Sequence, residues 1–446
     1  MASASTHPTR GLSLAAFALI IVVTLAAIFV VGTADREAQM FVVVTALTFG
    51  LGAVIIPRVA ARDGSISARF LFLALGAHVF GSLVRYFIIQ SVYHGIADAN
   101  IYMKLGTELA GEFRSLHIPA IPSVGTDFMG WLTGLMFAFT GPTLLGGFVV
   151  CAALAFIGSW YFYKAFRISF PGGDYKLYAI LVFLLPSMWY WPSSLGKDAV
   201  IVLFLGLATY GFALAFRAMF VRGIVISSLG VGGVLMLRPP IGAVIALSGA
   251  IGFALSPARL QVAALRAVAW ILLVGLLAGL SAISLASSKN YVGDQSLVEA
   301  YEVQRTADFE GNQGADSNFS APSILSPIGV PSALITSNFR PFPWETSGVL
   351  QRVAALEGML LIVLFLARIR ELIRGLKMWR VNGMVIYVCG SFIGVSLLLS
   401  SLPNFGLLAR QRTQVLPFLL MLPAMLRPSR NRENEPEEPA SLSASA

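Results

Sequence analysis

Two aspartates in polar breaks between apolar runs are the residues best suited to chemistry. Asp98 lies in the polar stretch 93–102, which ends at Tyr102, and Asp198 lies at the turn between two later apolar runs. A carboxylate beside an acceptor hydroxyl can act as a general base, because it can take the proton as the new bond forms. We therefore predict that Asp98 and Asp198 are catalytic. Alternatively, Asp98 is only the N-cap of a helix predicted over 99–114, since aspartate is a favoured capping residue.

Basic side chains recur at the ends of apolar runs on the same predicted side as these aspartates. A charge near hydrocarbon is costly, and such groups usually face a cavity or the interior of a helix bundle. Guanidinium groups match phosphate oxygens, so the set predicts a site for a lipid-linked phosphate or diphosphate. The predicted substrate-binding residues are Arg85, Tyr102, Lys197, Arg238, Arg340, Trp344, Glu345, Arg410 and Arg412. The alternative is local pairing, namely of Arg340 with Glu345, Arg352 with Glu357 and Lys197 with Asp198.

The sequence shows no certain cofactor and leaves the metal ligands unassigned. Asp98 and Asp198 could share a divalent cation, Mg²⁺ or Mn²⁺, through their carboxylate oxygens. The two cysteines, Cys151 and Cys389, fall within apolar runs and lack the spacing of a disulfide or a metal site. We expect them to be small buried residues.

The composition is that of a membrane protein. Hydrophobic residues make up 57% of the 446 residues and charged residues 12%, and the mean hydropathy is +0.79. Runs of about 20 apolar residues match the thickness of a bilayer core, and their continuity favours helices over alternating barrel strands. The net charge of +9 reflects loop lysines and arginines that set the orientation of the chain, so it does not indicate a nucleic-acid partner.

These patterns predict an all-α polytopic fold of about 12 transmembrane helices, with both termini cytoplasmic. The loops richest in lysine and arginine then share one side, which the positive-inside rule makes cytoplasmic. This alternation requires the glycine-broken stretch 126–141 to lie along the outer interface as a juxtamembrane helix rather than cross. The predicted spans are 12–32, 40–57, 70–91, 142–163, 177–192, 199–216, 224–237, 241–256, 267–287, 349–367, 384–401 and 413–426.

We predict one transmembrane domain, 1–427, with two external loops at 92–141 and 290–346. The second loop is acidic at its start and contains several glycines, a composition typical of a mobile segment. The remaining stretch, 428–446, is rich in glutamate, proline, serine and alanine. We expect it to be a disordered cytoplasmic tail.

The layout of 70–216 resembles the GT-C superfamily of polytopic glycosyltransferases, which includes oligosaccharyltransferases, protein mannosyltransferases and aminoarabinose transferases. In that family an early external loop carries an aspartate-containing motif and juxtamembrane helices, and the catalytic site faces outward. The stretch 98–102 looks like the first acidic motif, and 194–198 looks like the second acidic loop. Two departures stand out: Ala99 occupies a position that is often acidic, and three predicted spans rather than one precede the loop.

The resemblance implies transfer of a hexosyl or pentosyl group from a polyprenyl-phosphate-linked donor to a cell-envelope glycan or lipid acceptor. The reaction would take place at the outer face of the inner (plasma) membrane. A glycan polymerase or ligase acting on lipid-diphosphate-linked oligosaccharide is the second hypothesis, and it is favoured if the late arginines outweigh Asp98. A lipid-glycan flippase or transporter is the third, although the pseudo-symmetric halves common in transporters are not evident. The segments 339–345 and 404–412 also resemble parts of uncharacterised bacterial polysaccharide-synthesis membrane proteins.

Overall fold

A computed structural model describes residues 35–255, 328–402 and 404–428. The predicted spans 12–32 and 267–287 lie outside the described residues. So do most of the second external loop and nearly all of the predicted tail. Within the described ranges the chain is predominantly helical, as the apolar runs predict.

Ten α-helices occupy the first described range. They are α1 (Arg36–Asp63), α2 (Ala68–Ser91), α3 (Asp98–Arg114), α4 (Thr126–Thr140), α5 (Leu144–Ser169), α6 (Tyr175–Leu184), α7 (Pro186–Tyr190), α8 (Lys197–Phe216), α9 (Phe220–Leu237) and α10 (Pro239–Leu255). A 3₁₀ turn, Trp191–Ser193, follows α7.

Six further α-helices occupy the later ranges. They are α11 (Gly329–Phe339), α12 (Val349–Ala367), α13 (Ile369–Leu376), α14 (Gly383–Leu399), α15 (Phe405–Gln411) and α16 (Leu416–Met421). Four 3₁₀ turns lie between or after them: Pro343–Glu345, Lys377–Arg380, Arg412–Gln414 and Leu422–Ala424.

Six of the described helices are long and apolar enough to cross a membrane: α1, α2, α5, α8, α9 and α12. A seventh results if Ile369–Arg380 and α14 are taken as one span, although the two segments are bent by 116° relative to each other. The predicted span 177–192 is broken before Pro186, because proline lacks the amide that would continue the helix and disfavours helical geometry in the residue before it. The predicted span 413–426 consists of short helical pieces. The total of 12 spans stays a prediction.

Helices α5, α8 and α9 pack closely through small residues at the centre of the bundle. A Cβ added at Gly206 of α8 would lie 2.3 Å from the carbonyl oxygen of Gly158 in α5. A Cβ added at Gly211 of α8 would lie 2.2 Å from the amide nitrogen of Ser227 in α9. Contacts of this kind let backbones approach closely, as is common between membrane helices. They hold the start of α8 beside the end of α9.

One end of the bundle gathers the starts of α1, α5 and α8. The carboxylate of Glu37, in the first turn of α1, accepts a hydrogen bond from the amide of Leu144 at the start of α5 (3.0 Å). Gly147 in α5 packs against Leu195, which lies just before α8. We call this end of the bundle the polar end, because the two aspartates of the sequence analysis lie there.

Both ends of α4 lie at the polar end. The amide of Gly125 donates to the carbonyl of Met236 near the end of α9 (2.8 Å). At the other terminus, a Cβ added at Gly141 would lie 3.7 Å from the guanidinium of Arg36, at the start of α1. The 15-residue helix α4 therefore starts and ends at the same end of the bundle.

Helices α3 and α4 form a hairpin. A Cβ added at Gly130 of α4 would lie 2.8 Å from the Cβ of Leu105 in α3, so the absence of a side chain permits the contact. Trp131 stacks on Phe128 with ring centroids 6.1 Å apart, and its Nε1 donates to the carbonyl of Pro119 (3.0 Å). These contacts fix the turn between the helices and thereby the position at which α3 begins.

The opposite end of the bundle is held by ion pairs. Arg167 near the end of α5 contacts Asp63 at the end of α1 (2.6 Å). Arg368 after α12 contacts Asp174 before α6 (2.5 Å). These residues belong to the loops that the charge pattern predicts to be cytoplasmic. The membrane side of each end stays a prediction.

Candidate functional site

Asp198 is buried in the first turn of α8, with 3% of its side chain exposed. Its Oδ2 accepts a hydrogen bond from Arg410 Nε (2.5 Å). Its Oδ1 accepts from Arg238 Nη2 and Gln414 Nε2, each at 3.3 Å. A buried carboxylate is stable only when it is paired and hydrogen-bonded, and Asp198 meets that condition with three donors. It therefore acts as an anchor for two guanidinium groups and is poorly placed to receive a proton from a substrate.

The three donors reach Asp198 from two parts of the chain. Arg238 follows α9 directly, and the antiparallel packing of α8 and α9 brings that end beside the start of α8. Arg410 in α15 and Gln414 in the next 3₁₀ turn are four residues apart, a spacing that puts both side chains on one face of a helical segment. The sequence analysis missed Gln414 because it is uncharged. Its spacing from Arg410 is the signal that could have found it.

Asp98 is the accessible carboxylate of the site. It is the first residue of α3, its side chain is 53% exposed, and its Oδ2 accepts from Arg410 Nη1 (2.8 Å). The N-cap of α3 is Ala97, which makes no side-chain capping bond. The alternative interpretation of Asp98 as an N-cap is therefore wrong. Arg410 bridges both aspartates, as the prediction of a shared site requires.

Arg410 is the central cation of this cluster. The negative charge of Asp198, with the hydrogen bonds that Arg410 donates to both aspartates, raises the pKa of Arg410 above its ordinary value although burial opposes this. The guanidinium is therefore charged at any pH the protein meets. It cannot act as an acid, and its hydrogen bonds position the two carboxylates.

Tyr102 lies one helical turn after Asp98 and is buried against the same cluster. Burial, reinforced by the charge of Asp98, raises the pKa of Tyr102 to about 12. The phenol is therefore protonated at neutral pH and can serve as a hydrogen-bond donor. A Cβ added at Gly196 would lie 3.5 Å from Arg410 Nη2 and 3.9 Å from the Tyr102 ring, so a side chain there would occupy the space between them.

Lys197 and Arg85 add positive charge without forming an ion pair with a carboxylate of the described residues. Lys197 Nζ donates to Thr126 Oγ1 at the start of α4 (3.2 Å). Arg85 is 5% exposed, and its guanidinium lies 5.2 Å from the centroid of Tyr190 and 5.0 Å from that of Trp191. Stacking on aromatic faces stabilises the cation without neutralising it. The predicted pairing of Lys197 with Asp198 is not formed.

Arg340, Glu345 and Trp344 form a separate loop after α11. Arg340 contacts the carboxylate of Glu345 through Nε and Nη2 at 2.6 to 3.0 Å, as the local-pairing alternative predicts. Trp344 is exposed and stacks on Phe342 with ring centroids 5.0 Å apart. The guanidinium of Arg340 lies 5.1 Å from the ring centroid of Phe405 at the start of α15. The loop thus neighbours the helix that carries Arg410 but makes no ion pair with the aspartates in the described residues.

Arg412 serves the backbone. It is 1% exposed, its Nε donates to the carbonyl of Ser337 (3.1 Å), and its Nη2 donates to the carbonyl of Arg340. These carbonyls lie at the C-terminal end of α11, where no further amide of the helix is available to bond them. Of these predicted binding arginines, Arg238 and Arg410 meet at Asp198, whereas Arg340 and Arg412 stabilise the neighbouring loop.

The residues do not fit a divalent cation shared by Asp98 and Asp198. The guanidinium of Arg410 bonds to both carboxylates and occupies the place between them. Oδ1 of Asp198 accepts two hydrogen bonds and Oδ2 accepts one, all from nitrogen donors, so most of the lone pairs that a metal would use are engaged. Across the described ranges no three histidine, cysteine, aspartate or glutamate residues come together as a metal site.

The fold is that of a helical membrane protein, with a cluster of two carboxylates and four cations at the polar end of the bundle. Comparison of the chain with protein-family models, curated proteins and solved structures finds no match. Function is therefore argued from the site itself, because sites rather than folds carry chemistry.

Proposed function

We propose that the chain is a membrane glycosyltransferase of the GT-C type. It transfers a sugar from a polyprenyl-phosphate-linked donor to a cell-envelope glycan or lipid acceptor. The observation that carries the proposal is the half-exposed carboxylate of Asp98, held by Arg410 in a charged cluster that includes Lys197 and Arg85, which form no ion pair with a carboxylate in the described ranges. A base next to an anion site is what this reaction requires.

Each charged group has a distinct task in this proposal. Asp98 takes the proton of the acceptor hydroxyl as that oxygen attacks the anomeric carbon of the sugar. The bond between that carbon and the phosphate oxygen breaks, and the phosphate leaves with the electron pair. Lys197, Arg238 and Arg410 stabilise the charge that develops on the leaving group. Asp198 keeps two of these cations in position without taking part in proton transfer.

The polar end of the bundle faces the outside of the plasma membrane in this proposal, both termini are cytoplasmic, and the full chain has 12 spans. Single cysteines test the orientation in a background that lacks Cys151 and Cys389. Glu108 in α3 and Lys377 near the opposite end are both exposed and suit replacement by cysteine. Glu108→Cys should react with a membrane-impermeant maleimide on intact cells, and Lys377→Cys only after permeabilisation. The reverse pattern would place the aspartates in the cytoplasm and contradict an outward-facing site.

The enzymatic role is tested by replacing Asp98 in a deletion strain. Asp98→Asn keeps the size of the side chain and removes its basicity, so transfer should fall by roughly 10²-fold or more. The matched control is Asp127→Asn, which alters an exposed aspartate in the first turn of α4 whose carboxylate accepts a hydrogen bond from Ser123. Envelope glycans and lipid-linked sugars are profiled by mass spectrometry, and protein abundance is measured in the same membranes.

Accumulation of a lipid-linked sugar with loss of its glycan product is the expected result for Asp98→Asn, at normal protein abundance. Normal transfer by Asp98→Asn would remove the base from the mechanism. The transporter hypothesis would then lead, since movement of a lipid-linked glycan needs an anion site and no proton acceptor.

A further inference from the structure

The charges of the cluster around Arg410 do not balance. Its two carboxylates belong to Asp98 and Asp198, and its four cations are Arg85, Lys197, Arg238 and Arg410. Four positive groups against two negative groups leave a net charge of +2. The imbalance is local, because the neighbouring Arg340 is paired with Glu345.

Two buried donors of the same cluster also lack a partner. Arg85 Nε and Arg238 Nη1 are shielded from solvent and form no hydrogen bond with the described residues. Buried N–H groups are nearly always satisfied, so unpaired ones in a charged cluster point to an acceptor that completes them. Both belong to guanidinium groups, and phosphate oxygens are their natural acceptors. The cluster is therefore short of negative charge and of acceptor atoms at once.

We infer that the lipid-linked donor carries its sugar through a diphosphate rather than a monophosphate. This inference rests on the proposed function. A sugar joined to a lipid through one phosphate carries one negative charge, and one joined through a diphosphate carries two. Only the second brings the cluster to neutrality. An uncompensated charge in a partly buried site is unfavourable, so the site favours the ligand that neutralises it.

The same balance is kept through the reaction. The acceptor O–H bond breaks and its proton goes to Asp98, while the acceptor oxygen bonds to the anomeric carbon. The bond from that carbon to the diphosphate breaks, and its electron pair stays on the diphosphate. Asp98 becomes neutral, which raises the charge of the cluster to +3, and the released lipid diphosphate carries three negative charges above a pH of about 6. A monophosphate donor leaves one positive charge uncompensated both before and after transfer.

The test compares two lipids that differ only in the number of phosphates. The purified full chain is placed in nanodiscs of zwitterionic lipid, in buffer containing a chelator. Polyprenyl diphosphate and polyprenyl monophosphate of equal chain length, each capped by a methyl ester so that they carry two and one negative charges like the sugar-linked donors, then compete for binding, measured by native mass spectrometry. The diphosphate should bind with a dissociation constant about tenfold lower or better. One additional contact between opposite charges in this partly buried site contributes at least that much to affinity.

Substitutions at Lys197 show whether charge causes the preference. Lys197→Gln removes one positive charge and should shrink the preference by about tenfold, whereas Lys197→Arg should retain it. Lys104→Gln is the matched control, because Lys104 is an exposed lysine on α3 and should leave the preference unchanged. If Lys197→Gln does not fold, the wild-type comparison decides alone.

Equal binding of the two lipids, or tighter binding of the monophosphate, overturns the inference. An undiminished preference in folded Lys197→Gln also overturns it, because the preference would then not arise from the charge of the cluster. These results are distinct from failure of the proposed function. Normal glycan transfer by Asp98→Asn would refute the transferase while leaving the lipid preference measurable.

Discussion

Asp198 and Asp98 share one guanidinium, yet their removal should have very different effects on stability. Both bond to Arg410, but 3% of the Asp198 side chain and 53% of the Asp98 side chain are exposed. Asp198→Ala deletes the only carboxylate that contacts Arg238 in the described residues and leaves the Gln414 amide without its acceptor. Asp98→Ala removes one exposed contact, and Arg410 keeps its bond to Asp198.

The magnitudes follow from burial. Removing one partner of a buried ion pair typically costs about 3–5 kcal/mol, because the remaining charge stays buried without compensation. Asp198→Ala leaves Arg238 without its carboxylate partner while Arg410 keeps Asp98, so we expect a loss within that range. Removing an exposed partner usually costs about 0–1 kcal/mol. The free energy of unfolding should therefore differ between the two variants by at least about 2 kcal/mol.

Thermal denaturation in detergent, followed by size-exclusion chromatography of the surviving monodisperse protein, compares the variants under identical conditions. Asp198→Ala should melt far below wild type, and Asp98→Ala close to it. Replacing Asp198 and Arg238 together with leucine should recover part of the loss, because the unpaired charge is removed with its partner. Equal melting temperatures for the two alanine variants would refute the division of the pair into a buried anchor and an accessible carboxylate.

Two further predictions concern packing and pH. Gly206→Ala should sharply reduce the amount of folded protein in membranes, because its Cβ would lie 2.3 Å from the backbone of Gly158. The control, Gly232→Ala, should leave expression unchanged, because a Cβ there has no neighbour within 4 Å. Although burial alone would raise the pKa of Glu345, hydrogen bonds from Arg340 and a backbone amide hold that pKa below its ordinary 4.5. The stability that ionised Glu345 contributes is thus present above pH 4.5 and lost as the pH falls through the lower folded pKa. The difference in melting temperature between wild type and Glu345→Gln should be constant near neutrality and shrink at acid pH, and a difference that grows on acidification would contradict the assigned pairing.

Local features of the chain could be predicted from the sequence. Hydropathy alone indicates helices long enough to span a membrane, because an apolar run of sufficient length has no other stable arrangement in lipid. The helix expected over 99–114 forms as Asp98–Arg114. The pairing of Arg340 with Glu345 was predicted as the local alternative, and it forms because the two residues are only five positions apart in one short loop.

The break of the predicted span 177–192 shows a limit of hydropathy. Composition reports whether a segment is apolar, and it does not report whether the segment is straight. The chain turns at Leu185, whose backbone is extended, and Pro186 starts a new helix. The proline was visible in the sequence, but its consequence depends on whether neighbouring helices satisfy the interrupted backbone.

The composition of the charged cluster was decided only by the tertiary structure. Arg410 lies 312 residues from Asp98 and 212 residues from Asp198, and no local pattern links the three. Their meeting depends on the glycine contacts that set α8 against α5 and α9, and on the short helices that carry Arg410 and Gln414 back to the start of α8. The sequence by itself determined that two carboxylates and several cations lie at helix ends. Burial, which arises only from packing, decided that Asp198 is an anchor and that Asp98 is the accessible carboxylate.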